Sequence, residues 1–139
     1  EESGGIGVQG YLPERDGVLL GLLVLEAMAV QGRTLAELLR DLDRRFGRWT
    51  YARRDLTVAR EQVDRVFQRL SSQPPVEMAG VPVAQVKTLD GVKLIGRDES
   101  WLLFRRSGTE PIVRVYAESP RATQVKRLLE FGVKIVQSA

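Results

Sequence analysis

The sequence predicts an α+β fold, and three observations carry that prediction. Two helical segments open the chain, with no strand-like segment between them. From residue 49 onward, strand-like runs and two helical stripes follow in the order β-α-β-β-β-β-α. The dipeptide Asp90-Gly91 joins two of those runs, and it is a strong signal for a two-residue hairpin. We therefore predict two domains, over residues 1–48 and residues 49–139.

The first of these parts is predicted to contain a glycine-rich loop and two capped helices. Asp16 is suited to cap a helix that extends to about Gln31, because a carboxylate accepts hydrogen bonds from the free N–H groups of a first turn. Thr34 caps a second helix that ends at Gly47, and Glu37 completes a capping box. The first helix is apolar on nearly every side, so we expect it to be buried in a larger body.

The second part is predicted to contain five strands and two helices. A strand over residues 49–58 precedes a helix over residues 60–71, which the prolines of the run "SSQPP" end. Four further strands and a closing helix are predicted over residues 83–89, 92–96, 101–106, 112–118 and 120–136. These segments together make a compact α+β unit.

Composition excludes several classes of protein. The chain has 139 residues, of which 43% are hydrophobic and 28% charged, and this is typical of a globular domain rather than a disordered tail. The longest apolar run, from Val18 to Leu25, is far shorter than the roughly 20 residues of a bilayer span, so we predict no membrane segment. The acidic, glycine-rich start without an initiator Met predicts a fragment of a longer protein rather than a signal peptide.

The chain contains no Cys and no His. A chain without Cys has no disulfide framework and no thiolate site, which favours a cytoplasmic location. A chain without His lacks the commonest general base and the commonest metal ligand. The net charge of +3 suits an anionic partner, either a phosphorylated metabolite or a nucleic acid backbone.

Hydrogen-bond donors are concentrated in the turn "RRSGTEPIVR", which lies between two predicted strands. Strand alternation puts Arg105 and Ser107 on one side, and the backbone N–H groups of Gly108 and Thr109 follow. Such a turn makes a concavity for an anion, and a guanidinium matches phosphate oxygens with two parallel hydrogen bonds. Arg114, on the next strand, is placed to reach the same pocket. The alternative is a polar hairpin turn whose arginines are solvated.

The same turn resembles the phosphate-binding loop of the α-D-phosphohexomutases, the family of phosphoglucomutases, phosphomannomutases and phosphoglucosamine mutases. The family motif is R-x-S-G-T-E-P, and it lies in the fourth, C-terminal domain. The opening "EESGG" resembles the family's sugar-binding loop, G-E-x-S-G, in domain 3. The resemblance implies that Glu1 and Ser3 bind sugar hydroxyls. It implies that the non-reacting phosphate is bound by Arg105, Ser107, Gly108, Thr109 and Arg114.

The resemblance also implies a fold and a reaction. The fold is a TATA-binding-protein-like domain, an antiparallel sheet with helices on one face, preceded by the end of an α/β domain. The reaction interconverts hexose 1-phosphates and hexose 6-phosphates, with glucose 1,6-bisphosphate as intermediate and activator. The family's phosphoserine loop, T-A-S-H-N-P, and its Mg²⁺ loop, D-G-D-G-D-R, are absent from this chain. We therefore expect hexose phosphates as ligands, missing N-terminal domains as partners, no catalytic or metal residue here, and no turnover by the chain alone.

Several alternatives stay open. Within the family, "EESGG" favours phosphoglucomutase, and phosphomannomutase and phosphoglucosamine mutase are the alternatives. A basic nucleic-acid-binding module fits the arginine pairs at 44–45 and 53–54, but the strands lack the aromatic signature of RNA-recognition domains. A non-catalytic interaction domain that keeps the fold is a third reading. Asp41 and Asp43 form a D-x-D sequence among arginines, which indicates a salt-bridged helix surface rather than a metal site.

Overall fold

The structure is a computed structural model that describes residues 5–139. The chain divides into two compact units, one that ends at Gly47 and one that extends from Arg48 to Ala139. The described residues contain four helices and a six-stranded antiparallel sheet, so the predicted α+β class is confirmed. The assignment of residues 1–48 and 49–139 to two domains of a longer protein stays a prediction.

The first helix of unit 1, α1, spans Gly17–Gln31 and begins at the predicted cap. The carboxylate of Asp16 accepts hydrogen bonds from the backbone N–H groups of Val18 and Leu19, each at 2.9 Å. The bond from Leu19 is the main reason why the pKa of Asp16 lies below its ordinary value. Gly32 ends the helix in the left-handed conformation, with φ of 61°, where glycine carries no steric cost.

The second helix, α2, spans Leu35–Phe46, and its capping box is present as predicted. The carboxylate of Glu37 accepts a hydrogen bond from the backbone N–H of Thr34 at 2.8 Å. The hydroxyl of Thr34 accepts one in return from the backbone N–H of Glu37 at 3.4 Å. In the described part of the chain no single helix is long and apolar enough to span a bilayer; only α1 and α2 together, with an 83° bend between them, pass by length and composition.

Helix α1 keeps its apolar side chains at the surface of this chain. No residue of α1 is buried, and Val18 and Val30 are 76% and 80% exposed. The sequence is apolar all round the helix, which is typical of a helix that is covered on most sides. The expectation that α1 is buried refers to a larger body than the described chain, so it stays a prediction.

Unit 2 contains one curled antiparallel sheet. Its strands are β1 (Thr50–Thr57), β2 (Glu77–Met78), β3 (Val81–Lys87), β4 (Val92–Gly96), β5 (Trp101–Arg106) and β6 (Ile112–Ser119). They lie in the order β1-β6-β5-β4-β3-β2, so β1 and β2 form the two edges. The last strand, β6, is paired along its whole length with β1, the first. The turn between β5 and β6 therefore joins two interior strands of the sheet.

Two features of the sheet differ from the sequence-based prediction. The short edge strand β2 was not predicted; it joins β3 through Ala79 and Gly80, whose φ angles are 49° and 85°. Alanine rarely adopts positive φ, so the pair Ala-Gly gives a weak turn signal. The predicted two-residue turn at Asp90-Gly91 is wrong, because β3 ends at Lys87 and residues 88–91 form a longer loop.

The core lies on one face of the sheet, beneath α3 (Arg60–Ser72) and α4 (Ala122–Gln137). Strand alternation brings the buried side chains to this face, and the other face carries no helix of unit 2. The core residues from the helices and from strands β5 and β6 include Val66, Phe67, Leu70, Leu102, Phe104, Val113, Val115, Ala117, Val125 and Leu128. We call the opposite surface, which bears Tyr51, Trp101, Arg105, Arg114 and Tyr116, the open face.

Candidate phosphate-binding site

The turn between β5 and β6 is closed by its own hydrogen bonds. The backbone N–H of Ser107 donates to the carbonyl oxygen of Ile112 at 3.0 Å, and the N–H of Ile112 donates to that of Glu110 at 2.8 Å. The hydroxyl of Ser107 accepts a hydrogen bond from the backbone N–H of Glu110 at 3.3 Å. The N–H of Ser107 therefore serves the turn itself. Within the turn, the predicted anion contacts are left to Gly108, Thr109 and the hydroxyl of Ser107, beside those predicted for Arg105 and Arg114.

Arg105 and Arg114 lie side by side on the open face. They are direct partners in the antiparallel register of β5 and β6, so their side chains project from neighbouring points on the same surface. The side chain of Arg105 is 33% exposed and forms an ion pair with Asp90, at 3.0 Å from Nη2 to Oδ2. The register places Arg114 next to Arg105 on the neighbouring strand, as the sequence predicts. That both arginines reach one phosphate pocket stays a prediction.

Arg106 projects to the opposite side of the sheet from Arg105. Its guanidinium forms an ion pair with Asp64 at 2.5 Å and lies 4.6 Å from the centre of the Phe67 ring. Both partners belong to α3, so the second arginine of the motif is held against a helix. Sequence reasoning assigned no contact to Arg106, because helix α3 is distant from the turn along the chain.

A cavity of about 260 Å³ lies between the turn and the start of α3. It is lined by Arg60, Val63, Asp64, Arg106 and the five turn residues from Ser107 to Pro111. Arg105 and Arg114 do not line it. The sequence predicts that Arg105 and Ser107 project to the same side, but of the two only Ser107 lines this cavity. Strand β5 ends at Arg106, so strand alternation does not extend to Ser107.

The open face also carries an aromatic cluster that sequence reasoning missed. The ring centre of Tyr51 lies 6.3 Å from the ring centres of both Trp101 and Tyr116. The indole N–H of Trp101 donates to a carboxylate oxygen of Glu118 at 2.7 Å. The ammonium of Lys93 lies 3.9 Å from the centre of the Trp101 ring, and burial lowers the pKa of this lysine although the charge of Glu118 opposes that effect.

The cluster is poorly suited to stack nucleic-acid bases. Tyr116 is only 2% exposed, and Lys93 covers a face of Trp101. Base stacking needs exposed ring faces, as the aromatic platforms of single-strand-binding proteins show. Tyr51, at 43% exposed, is the main accessible ring of the three.

Asp41, the first acidic residue of the D-x-D sequence that resembles a metal-binding pattern, is engaged in ion pairs. Asp41 lies 2.9 Å from Arg44 and 3.8 Å from Arg33, and the hydrogen bond from Arg44 is the main reason for its lowered pKa. Over residues 5–139, no group of three or more His, Cys, Asp and Glu side chains is placed to hold a metal ion. Glu1 and Ser3, the predicted sugar-binding residues, lie outside the described residues.

Two domains of one enzyme family match the sequence. Residues 1–46 match the alpha/beta/alpha domain III of phosphoglucomutase/phosphomannomutase, and residues 58–134 match the C-terminal domain of the same family. The chain belongs to the phosphoglucomutase/phosphomannomutase family. The family resemblance stated from the motifs is thereby confirmed, as is the fold of the C-terminal domain.

Similar proteins within the phosphoglucomutase/phosphomannomutase family carry several substrate names. A phosphoglucomutase/phosphomannomutase of Thermococcus kodakarensis is 29% identical over all of this chain, which covers 28% of that relative. A phosphoglucosamine/phosphogalactosamine mutase of Sulfurisphaera tokodaii is 31% identical over 99% of this chain and 28% of the relative. A phosphoglucomutase of Komagataeibacter xylinus is 34% identical over 76% of this chain and 20% of the relative.

A solved structure shows the same fold. The crystal structure of a phosphoglucomutase/phosphomannomutase family protein from Burkholderia thailandensis superposes with a TM-score of 0.67 at 20% identity. The superposition covers 92% of this chain and 25% of that protein. This chain thus spans between a fifth and three tenths of the length of these relatives.

Proposed function

We propose that this chain supplies the phosphate-holding part of a longer phosphohexomutase, an enzyme that interconverts hexose 1-phosphates and hexose 6-phosphates. The observation that carries the proposal is the juxtaposition of Arg105 and Arg114 on the open face, next to a glycine-containing turn. Membership of the phosphoglucomutase/phosphomannomutase family supports it. Within the family we favour glucose phosphates on the sequence "EESGG", and mannose and glucosamine phosphates are the alternatives.

In this proposal the two arginines beside the turn and three residues within it have distinct tasks. Arg105 and Arg114 supply planar donors that hydrogen-bond phosphate oxygens and offset their charge. Ser107 and Thr109 supply hydroxyls, and Gly108 lets the backbone approach the anion closely, because glycine carries no Cβ. None of these groups attacks phosphorus. A site of this kind holds the phosphate at the end of the sugar that is not reacting.

The reacting groups are proposed to lie in the other domains of the longer enzyme. The chain contains neither the phosphoserine loop nor the Mg²⁺ loop of the phosphohexomutases that it resembles. Asp41 and Asp43 do not fit a Mg²⁺ site, because Asp41 is already paired with Arg44 and Arg33. Mg²⁺, glucose 1,6-bisphosphate and contact with N-terminal domains therefore belong to the proposed whole protein, and its cytoplasmic location stays a prediction.

The proposal is tested by titrating the ¹⁵N-labelled chain with glucose 1-phosphate, glucose 6-phosphate and unphosphorylated glucose. We expect both phosphates to shift the amides of Gly108 and Thr109 and the side-chain Nε–H of Arg105, whereas glucose shifts none of them. Equal responses to glucose and its phosphates would contradict the phosphate role. Shifts centred on the paired arginines at 44–45 and 53–54 with mixed-sequence RNA, and none with sugar phosphates, would favour the nucleic-acid alternative.

A mutase assay on the same preparation tests the claim that the reacting groups lie elsewhere. We expect no conversion of glucose 1-phosphate by the purified chain, with or without Mg²⁺ and glucose 1,6-bisphosphate. The full-length enzyme serves as the positive control. Turnover by the chain alone, after removal of any contaminating full-length enzyme, refutes the division of labour proposed here.

A further inference from the structure

The loop between β3 and β4, residues 88–91, lies directly against β5 where Arg105 begins. Gly91 has φ of 88°, a conformation that side-chain-bearing residues rarely adopt. A Cβ at this position would overlap the carbonyl oxygen of Phe104 and lie 3.1 Å from Cγ of Arg105. Glycine at position 91 is therefore what allows the loop to approach the stem of the Arg105 side chain.

This close approach places Asp90 beside the guanidinium of Arg105. The Oδ2 atom of Asp90 lies 3.0 Å from Nη2 of Arg105, although the two residues belong to different hairpins. The side chain of Asp90 is 72% exposed. An ion pair this accessible to water adds little to the stability of a fold, so its main consequence is for the direction of the arginine side chain.

The charges around Arg105 form a row across the open face, in which two adjacent arginines lie between two carboxylates. Arg105 and Arg114 are opposite each other, and like charges in this position repel. Asp90 pairs with Arg105 from the β3–β4 loop. Asp55 on β1 is the register partner of Arg114, and its carboxylate also pairs with Arg53 at 2.9 Å. The two central arginines thus lie between two carboxylates, which offset their repulsion before any anion is bound.

We propose that Asp90 is a positioning residue for Arg105, one that fixes the direction of the guanidinium on the open face before phosphate binds. This inference rests on the phosphate role proposed above for Arg105. The physical reason is preorganisation: an arginine whose rotamer is already fixed loses less conformational entropy when it binds an oxyanion. The opposite role, in which Asp90 competes with phosphate for Arg105, predicts the opposite sign in the test below.

The test compares phosphate binding by four forms of the purified chain. Inorganic phosphate is titrated at constant ionic strength into the wild type, Asp90→Asn, Asp90→Glu and Asp41→Asn. The control, Asp41→Asn, removes a carboxylate that is one-third exposed and pairs with Arg44 at 2.9 Å, so it also breaks an Asp–Arg ion pair, but in unit 1. The Nε–H signal of Arg105 is followed in every form, because it reports the order of the guanidinium directly.

We expect Asp90→Asn to raise the phosphate Kd by about 3- to 10-fold, the range for ordering one long side chain. The Nε–H signal of Arg105 should move towards that of a freely rotating arginine. Asp90→Glu should recover part of the affinity, since it restores the carboxylate on a longer stem, and Asp41→Asn should bind as the wild type does.

Four results overturn the inference in distinguishable ways. Unchanged affinity in Asp90→Asn, with an unchanged Arg105 signal, refutes the positioning role. Tighter binding identifies Asp90 as a competitor of phosphate. Loss of the folded spectrum in Asp90→Asn shows that the residue serves the fold instead. Absence of saturable phosphate shifts at the turn in the wild-type chain refutes the proposed phosphate site itself, and the role of Asp90 with it.

Discussion

Replacing Arg105 by alanine separates the proposed phosphate-binding role of this residue from its contribution to the fold. Its side chain is one-third exposed and its ion-pair partner Asp90 is mostly exposed, so the substitution leaves no buried charge without a partner. An exposed ion pair contributes at most about 1 kcal/mol to stability. A charge-assisted hydrogen bond to a bound anion contributes about 1.5–3 kcal/mol, which corresponds to a roughly 10- to 150-fold loss of affinity. Binding should therefore suffer much more than folding.

The assay measures both quantities on the same variants. Urea unfolding of the chain gives the change in stability, and phosphate titration gives the change in Kd; in the full-length enzyme, KM for the hexose phosphate gives a second value for binding. Arg105→Lys keeps the charge but loses the planar donors, so we expect an intermediate loss. Arg121→Ala is the matched control, because Arg121 also forms one exposed ion pair, with Asp98 at 3.2 Å, at the start of α4.

Two results would refute this reasoning. Unchanged Kd, KM and kcat in Arg105→Ala would show that the transfer of the phosphate role onto this position is wrong. A loss of affinity in Arg121→Ala as large as that in Arg105→Ala would show that phosphate responds to overall charge rather than to the turn.

Three further predictions concern the fold. Gly132→Ala should destabilise unit 2 by about 1–2 kcal/mol in urea unfolding, because its Cβ would lie 2.5 Å from a valine methyl of β6; Gly21→Ala, which meets nothing within 4 Å, should instead stabilise α1 by up to about 1 kcal/mol. The lowered pKa of Asp16 means that its cap stabilises α1 above the ordinary carboxylate range and is lost as the pH falls below about 4. The amide of Leu19 should follow that titration in NMR spectra, and Asp16→Asn should abolish it. A fragment of residues 48–139 should unfold in one cooperative transition, since every buried hydrophobic residue of the described chain lies there; a non-cooperative transition would contradict the boundary.

Local chemistry made most of the fold predictable from the sequence. Asp16 and Thr34 mark helix starts because their side chains satisfy N–H groups only a few residues away. The inward positions Val113 and Val115 follow from strand alternation, and both are fully buried. The strand β2 was missed because it contains two residues and its turn uses an alanine at positive φ. Such a turn is stabilised by tertiary packing rather than by local preference.

The site was less predictable, because its contacts join residues that are distant along the chain. The motif identifies Arg105 and Arg114, and antiparallel pairing of consecutive strands makes their proximity foreseeable. The contact between Arg105 and Asp90 depends on how closely the β3–β4 loop approaches β5. The only sign of this close approach in the sequence is the glycine at position 91. The contact between Arg106 and Asp64 depends on where α3 crosses the sheet. Neither distance follows from residue spacing.

The two consecutive arginines explain how the base of the turn is held. Strand alternation sends Arg105 to the open face and Arg106 to the helix face, and each then forms an ion pair with a carboxylate from a different element. The ring of Phe67 supports Arg106 as well, at 4.6 Å from its guanidinium. The end of β5 is thus held from both sides just before Ser107, so the donors that follow begin from a fixed point. A short peptide with the sequence of the turn has neither Asp90 nor Asp64 and would have to order both arginines when it binds phosphate. We therefore predict that the proposed phosphate affinity of the turn is a property of unit 2 as a whole and not of its motif alone.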